Sequence, residues 1–269
     1  MLPFITIFET IQFSTFGLLG LIAIFFTTFI AGFRARRYGF TPSDLLYIVA
    51  FAGLGLLAGA TILYGITQIP GMWQNRELIT DNFIGFVLFH FGGMVFYGGL
   101  FGAIAGIYLY TKYMKISFAN VMVLAIPVFP LAHAIMRLGC FAAGCCYGIE
   151  YPPPLGIAFT ESLAAPNNVY LLPIQLYEAA LNLVIFFVLW QFTKKDRNWL
   201  VVFGVYAMMY SFARFWLEFL RGDEIRGFIF ALSTSQFISI FVFLLGICIL
   251  VYHKRNLNQN YLKINSIGE

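Results

Sequence analysis

Phe13-Ser-Thr-Phe-Gly-Leu-Leu-Gly-Leu-Ile-Ala-Ile-Phe-Phe-Thr-Thr-Phe-Ile-Ala-Gly-Phe33 runs without a charged residue and is followed at once by Arg34, Arg36 and Arg37. About 20 mostly apolar residues cross the hydrocarbon layer of a bilayer as one helix. Lys and Arg collect in the short loops on the cytoplasmic side. The stretch therefore reads as a membrane helix that leaves the bilayer at its cytoplasmic face. Residues 1–12 carry no basic run ahead of it, so no cleaved signal peptide is expected.

Six further stretches repeat the pattern, at residues 45–66, 83–110, 121–138, 171–192, 200–220 and 228–252. The expected fold is an all-α polytopic membrane protein of about seven transmembrane helices, with the N-terminus external and the C-terminus cytoplasmic. Lys112 and Lys115, then Lys194, Lys195 and Arg197, then Lys254, Arg255 and Lys263 fall on the same alternating ends as the first Arg cluster. The loops around Arg76, residues 146–170 and Arg226 are then external.

Composition agrees. With 61% hydrophobic and 10% charged residues, a soluble globule would lack the polar surface to cover itself. The net charge of +4 is mostly the loop bias, so a nucleic-acid partner, which wants a basic solvated face, is not expected. No internal repeat or long linker divides residues 1–269, which read as one integral membrane domain with an external loop at about 139–170. Pro152, Pro153 and Pro154 break any helix there, and the loop is either a cap over a site or a plain connector.

Charged groups inside membrane helices cost roughly 2.5–3.5 kcal/mol each at the centre, so each needs a reason. His133, Arg137 and Cys140 lie at i, i+4 and i+7, on one helical face. Tyr210, Arg214, Glu218 and Arg221 form a second stripe; Arg214 with Glu218 also reads as a structural i, i+4 pair, and Arg221 as an interfacial anchor. Gln175, Glu178 and Asn182 form a third. The topology sends all three towards the external side, where three arginines against two carboxylates would leave a pocket net positive. The planar guanidinium fork suits a phosphate. The glycines of Gly92-Gly-Met-Val-Phe-Tyr-Gly-Gly-Leu-Phe-Gly102 allow close approach of an acyl chain or of another helix, and helix packing is the commoner cause; the span 83–110 is also long, so part of it is expected to be re-entrant or tilted.

Three of the four cysteines, Cys140, Cys145 and Cys146, cluster at the end of the fourth helix, while Cys248 reads as an apolar filler. Zinc suits these ligand types, with His133 as a further donor, but the spacing fits no metal pattern, and no metal or cofactor is expected. A disulfide from Cys140 to Cys145 or Cys146 is one alternative. A reactive Cys140 thiol beside Arg137 and His133 is another.

Met94-Val-Phe-Tyr-Gly-Gly-Leu-Phe-Gly102, Arg137-Leu-Gly, Gln175-Leu-Tyr-Glu178, Ala213-Arg-Phe-Trp-Leu-Glu-Phe-Leu-Arg221 and Ser235-Gln-Phe-Ile-Ser239, in that order, resemble the prolipoprotein diacylglyceryl transferase family. The chain is more similar to a cysteine-rich subgroup with His-x-x-x-Arg-x-Gly-Cys and Gly-Cys-Cys-x-Gly. The resemblance implies a multi-pass enzyme of the bacterial plasma (inner) membrane. Such an enzyme takes a diacylglyceryl group from phosphatidylglycerol, a membrane lipid, and places it on the lipobox cysteine thiol of a prolipoprotein, releasing glycerol phosphate. It implies catalytic roles for Arg137 and Arg214. Tyr97 stands where the family has its histidine, Cys140 where it has asparagine, and Cys145 where it has glutamate. Phe16 replaces a tyrosine, Leu172 a histidine, and the arginine of helix two is absent around residues 59–61.

The expected catalytic set is His133, Arg137, Cys140, Tyr97 and Arg214, with His133 replacing the missing base and His90 a second candidate. The expected substrate-binding set is Gly98, Gly99, Gln175, Tyr177, Glu178, Glu218 and Arg221. The alternatives are a phospholipid-dependent transferase with another acceptor, with Cys140 as a covalent relay, or a non-catalytic lipid-binding or redox membrane protein.

Overall fold

The structure is a computed structural model describing residues 1–7, 11–74, 76–77, 82–223 and 227–265; Arg226 lies outside the described residues. The chain opens with a hairpin of β1 (Phe4–Ile7) and β2 (Ile11–Ser14), then α1 (Thr15–Ala35). There follow α2 (Pro42–Thr67), α3 (Ile69–Gln74), α4 (Phe83–Phe91), α5 (Phe96–Met114) and α6 (Phe118–Ala143). Two-residue strands β3 (Ile157–Ala158) and β4 (Tyr170–Leu171) precede α7 (Ile174–Phe192) and α8 (Trp199–Leu217), which ends in a 3-10 turn (Glu218–Leu220). The hairpin of β5 (Phe228–Ile229) and β6 (Leu232–Ser233) leads into α9 (Thr234–Asn265).

Among the described residues six helices are long and apolar enough to cross a membrane, and a seventh crossing is counted if α4 and α5 form one broken span. The protein is an all-α polytopic membrane protein. Leu21, Phe25, Phe29 and Phe33 recur every four residues on α1 and are each more than half exposed, an apolar stripe that only lipid would solvate well.

Three boundaries differ from expectation. The span expected over residues 83–110, long enough for part of it to be re-entrant or tilted, is divided into α4 and α5, bent by 94° at a break containing Gly92 and Gly93. At the break the Val95 amide donates to the Ala60 carbonyl of α2, 3.2 Å away, so a backbone group freed from its own helix finds a partner in a neighbour. The fourth helix runs on to Ala143, so the loop expected from about 139 begins at Gly144. Residues 228–233 are a hairpin, and the last helix starts at Thr234.

Backbone contacts group the chain into two compact units, Gly32–Val121 and the larger Met1–Ala31 with Met122–Glu269. In the smaller unit α2 begins with a reciprocal cap, Thr41 accepting from the Asp44 amide and Asp44 from the Thr41 amide, with Pro42 in the first turn. Helices α2 and α5 pack backbone to backbone. A Cβ on Gly55 would overlap the Gly102 carbonyl and one on Gly102 the Gly55 carbonyl, while Gly59 and Gly98 face each other the same way. Such contact needs residues without side chains. Gly102→Ala is expected to lower stability by about 1–3 kcal/mol through overpacking. Gly53→Ala, whose Cβ would meet nothing within 4 Å, is expected to leave the thermal unfolding midpoint in detergent unchanged.

In the larger unit α6 is the most enclosed span, half of its apolar window being buried against 17% for α1. Pro127 and Pro130 sit inside α6, fully buried. Gly204 of α8 packs closely against Gly246 and Leu250 of α9. The loop after α6 is anchored to the chain around it. Its Gly148 amide donates to Leu172, the Leu172 amide to Ile149, the Ile149 amide to Leu220 and the Gly222 amide to Tyr147. Phe159, Ala165 and Leu171 form a small buried cluster under it, joined by Phe141 and Tyr147. These bonds fix the loop against the start of α7 and the end of α8.

Candidate functional site

Helix periodicity brings the three polar stripes of the larger unit onto one carboxylate. Glu178, on the second turn of α7 with a side chain only 3% exposed, is ion-paired with Arg137 of α6, whose Nη2 lies 2.9 Å from Oε1. His133 Nε2, one turn earlier on α6, is 3.5 Å from the same oxygen. Arg214 Nη1 of α8 lies 3.5 Å from Oε2, while its Nη2 is ion-paired with Glu218 at 2.8 Å and donates to Ser235 of α9 at 3.2 Å. The ring of Tyr210 lies 5.4 Å from that of His133, and Tyr206 stacks on Tyr210. Asn182, a turn after Glu178, donates to its backbone carbonyl at 2.8 Å.

The charge balance differs from the sequence expectation. Asp223, in the loop beyond α8, takes Arg221 in a two-pronged pair, Nε to Oδ1 at 2.8 Å and Nη2 to Oδ2. Three arginines therefore face three carboxylates, and the expected positive surplus is absent. What remains is directional. Arg137 Nε and Arg214 Nη1 are buried and no hydrogen-bond acceptor meets them among the described residues, the 3.5 Å approach of Arg214 Nη1 to Glu178 being an ion-pair distance without hydrogen-bond alignment. A buried donor left unmade costs about 1–3 kcal/mol, more when charged. An anion that accepted from both would relieve that cost.

Beside this lattice lie the thiols. Gly144, at φ +72°, ends α6 in the left-handed conformation that glycine adopts without strain. The Cys145 amide then donates to the Cys140 carbonyl, and Cys146, at φ +58°, turns the chain again. The result brings the Sγ atoms of Cys140, Cys145 and Cys146 within 4.8 Å of one another. Arg137 Nη1 is 3.8 Å from Cys140 Sγ, and Gln175 Nε2 holds the Cys145 carbonyl at 2.6 Å. Hydrogen bonds from Cys140 and Cys145 hold the Cys146 thiol well below the ordinary thiol range, with Arg137 and Arg221 adding to the effect. The Cys145 thiol, hydrogen-bonded to Cys140 and Cys146, is held well above it. All four cysteines are free.

Of the other residues singled out from the sequence, Tyr177 is partly exposed on α7. Tyr97, in the first turn of α5 in the smaller unit, is half-exposed with its ring edge-on to Phe96. Gly98 and Gly99 are buried against α2, facing Gly59 with Leu63 and Leu56 with Ala60, in the helix contact described above. His90 is fully buried between Phe86 and Phe89 of its own helix. Phe16 packs on Gly139, whose added Cβ would meet its ring at 3.0 Å. Sequence reasoning missed Asp223, which follows a helix end and has no periodic signal. Ser235, in the Ser235-Gln-Phe-Ile-Ser239 run, helps to hold Arg214 by accepting from its Nη2.

The sequence model of the prolipoprotein diacylglyceryl transferase family matches residues 3–252 of the chain. A phosphatidylglycerol–prolipoprotein diacylglyceryl transferase of Clostridium tetani is 36% identical over 215 residues, covering 80% of this chain and 82% of its own length. The second such transferase of Clostridium perfringens is 34% identical, with 80% of each chain covered. That of Chlorobaculum tepidum is 32% identical, over 84% of this chain and 88% of its own.

Proposed function

The chain belongs to the prolipoprotein diacylglyceryl transferase family, and from that premise we propose that it moves the diacylglyceryl group of phosphatidylglycerol to the lipobox cysteine thiol of a prolipoprotein, as an enzyme of the bacterial inner membrane with its N-terminus outside. The observation that carries the assignment of roles is the pair of unmet buried donors, Arg137 Nε and Arg214 Nη1, beside the Glu178 lattice. They donate to the lipid phosphate. As the carbon–oxygen bond to phosphate breaks, negative charge grows on the departing glycerol phosphate and the two guanidiniums stabilise it. Glu178 and Glu218 hold the guanidiniums in place.

His133 takes the thiol proton, and the Glu178 carboxylate beside it stabilises the imidazolium that forms. Arg221, engaged by Asp223 and paired in a backbone bridge with Gly148, holds the loop rather than the phosphate. Cys140 does not serve as a covalent relay. A diacylglyceryl group on a thiol is a thioether, and an alkyl thiolate is too poor a leaving group to hand the group on.

His133→Gln is expected to lower turnover by roughly 10²-fold while leaving the apparent KM for phosphatidylglycerol within a few-fold, measured on a lipobox peptide in phosphatidylglycerol vesicles. The reading as a whole is tested in a bacterium depleted of its own transferase. The chain is expected to restore growth and lipidated precursor, and the absence of both at normal expression overturns the proposal.

A further inference from the structure

The thiol triangle is not used by the chemistry above, and its construction is specific. Cys140 comes from the last turn of α6, and Gly144 and Cys146 take the left-handed turns that carry Cys145 and Cys146 back to it. The turn is held from several sides. Ser162 Oγ and the Ala165 amide donate to the Gly144 carbonyl, Gln175 to that of Cys145 and the Gly222 amide to that of Tyr147. Cys140 is buried, while Cys145 and Cys146 are only partly so, which leaves one side of the triangle open.

Zinc bound by thiolates at about 2.3 Å in a tetrahedron sets its sulfurs about 3.8 Å apart, so a triangle already within 4.8 Å closes with side-chain adjustments of about an ångström. Among the described residues no fourth His, Cys, Asp or Glu completes the group. Three protein ligands and one open position are the pattern of catalytic rather than structural zinc. Arg137, 3.8 Å from Cys140 Sγ, does not oppose a cation here. Zn²⁺ with three thiolates is a monoanion, and with a fourth a dianion, so a neighbouring guanidinium offsets the charge of the filled site.

We propose that Cys140, Cys145 and Cys146 form a zinc site whose open position takes the thiol of the incoming prolipoprotein cysteine. The inference rests on the transferase reading and deepens it, since it reverses the expectation of no metal and gives the acceptor a binding group. Coordination ionises the acceptor thiol, its proton passing to His133 or to water. The sulfur then attacks the glyceryl carbon: the S–C bond forms, the C–O bond to phosphate breaks, and the electron pair leaves with glycerol phosphate. No electron transfer is involved and the metal keeps its charge.

The test is metal content and Co²⁺ spectroscopy on the full chain, purified in detergent under reducing conditions. About one zinc per chain is expected, retained by Cys248→Ser and lost from Cys145→Ser and Cys146→Ser. The Co²⁺-substituted protein is expected to show thiolate-to-cobalt charge-transfer bands that shift when a lipobox peptide is added, and do not shift with the same peptide carrying Ser for Cys. Less than a tenth of a metal per chain, cobalt bands indifferent to the Cys→Ser changes, or a Cys140–Cys145 or Cys140–Cys146 disulfide in the active enzyme would each overturn the site. Transfer activity with no metal would remove this inference and leave the transferase reading standing. Metal and thiol binding without transfer would do the reverse.

Discussion

Arg214→Ala is expected to reduce diacylglyceryl transfer by roughly 10³-fold, the upper range for removal of one preorganised donor from a developing anion. The guanidinium is 12% exposed and reaches Glu178, Glu218 and Ser235 from one side chain. Its Nη1 is one of the site's two buried guanidinium donors that no acceptor meets among the described residues. Arg214→Lys keeps the charge but replaces a planar fork with a single ammonium, which cannot hold Glu218 and an anion in fixed directions together. It is expected to recover less than a tenth of the activity. The loss should fall mainly on kcat, because the phosphate gains its extra charge only as the bond breaks. Arg214→Ala with kcat intact and only KM raised would show that the side chain holds the ground-state lipid and does not act on the leaving group.

The stripes that build this site were legible in the sequence because helix periodicity is a local rule. His133, Arg137 and Cys140 on α6, Gln175, Glu178 and Asn182 on α7, and Arg214 with Glu218 at the end of α8 needed only a repeat of 3.6 residues to be placed on common faces. Their meeting point was legible too, since polarity at membrane depth has few places to go except towards itself. The net charge was not. Asp223 lies past the helix end, and its engagement of Arg221 depends on the path of a loop that has no period. The thiol triangle was hidden for a similar reason. A spacing of five and then one residue matches no regular ligand pattern, and only the left-handed turns at Gly144 and Cys146 make it compact. The length of the 83–110 span pointed to a re-entrant or tilted part, but the place of the bend between α4 and α5 was not legible because apolarity is continuous across it. Gly92 and Gly93 signalled close packing without saying that the helix would stop there.

Glu178→Ala is expected to lower stability by about 3–5 kcal/mol, because it leaves buried charge without its partner. Two guanidiniums and an imidazole converge on this carboxylate. Arg214 retains Glu218, but Arg137 has no other carboxylate partner among the described residues. Glu178→Gln keeps the volume and one acceptor oxygen for Arg137 Nη2, and is expected to fall between the wild type and the alanine variant. The discriminating protein is the double variant Glu178→Leu with Arg137→Met. Replacing both members of a buried pair by apolar groups of similar size removes the desolvation cost along with the attraction, and is often neutral or stabilising. Thermal unfolding in detergent is therefore expected to return to within a few degrees of the wild type, while transfer activity stays lost. If the double variant were no more stable than Glu178→Ala, the lattice would be holding α6, α7 and α8 together in its own right. If it recovered stability as expected, the charges would be there for the lipid phosphate, since apolar side chains would serve the fold equally well.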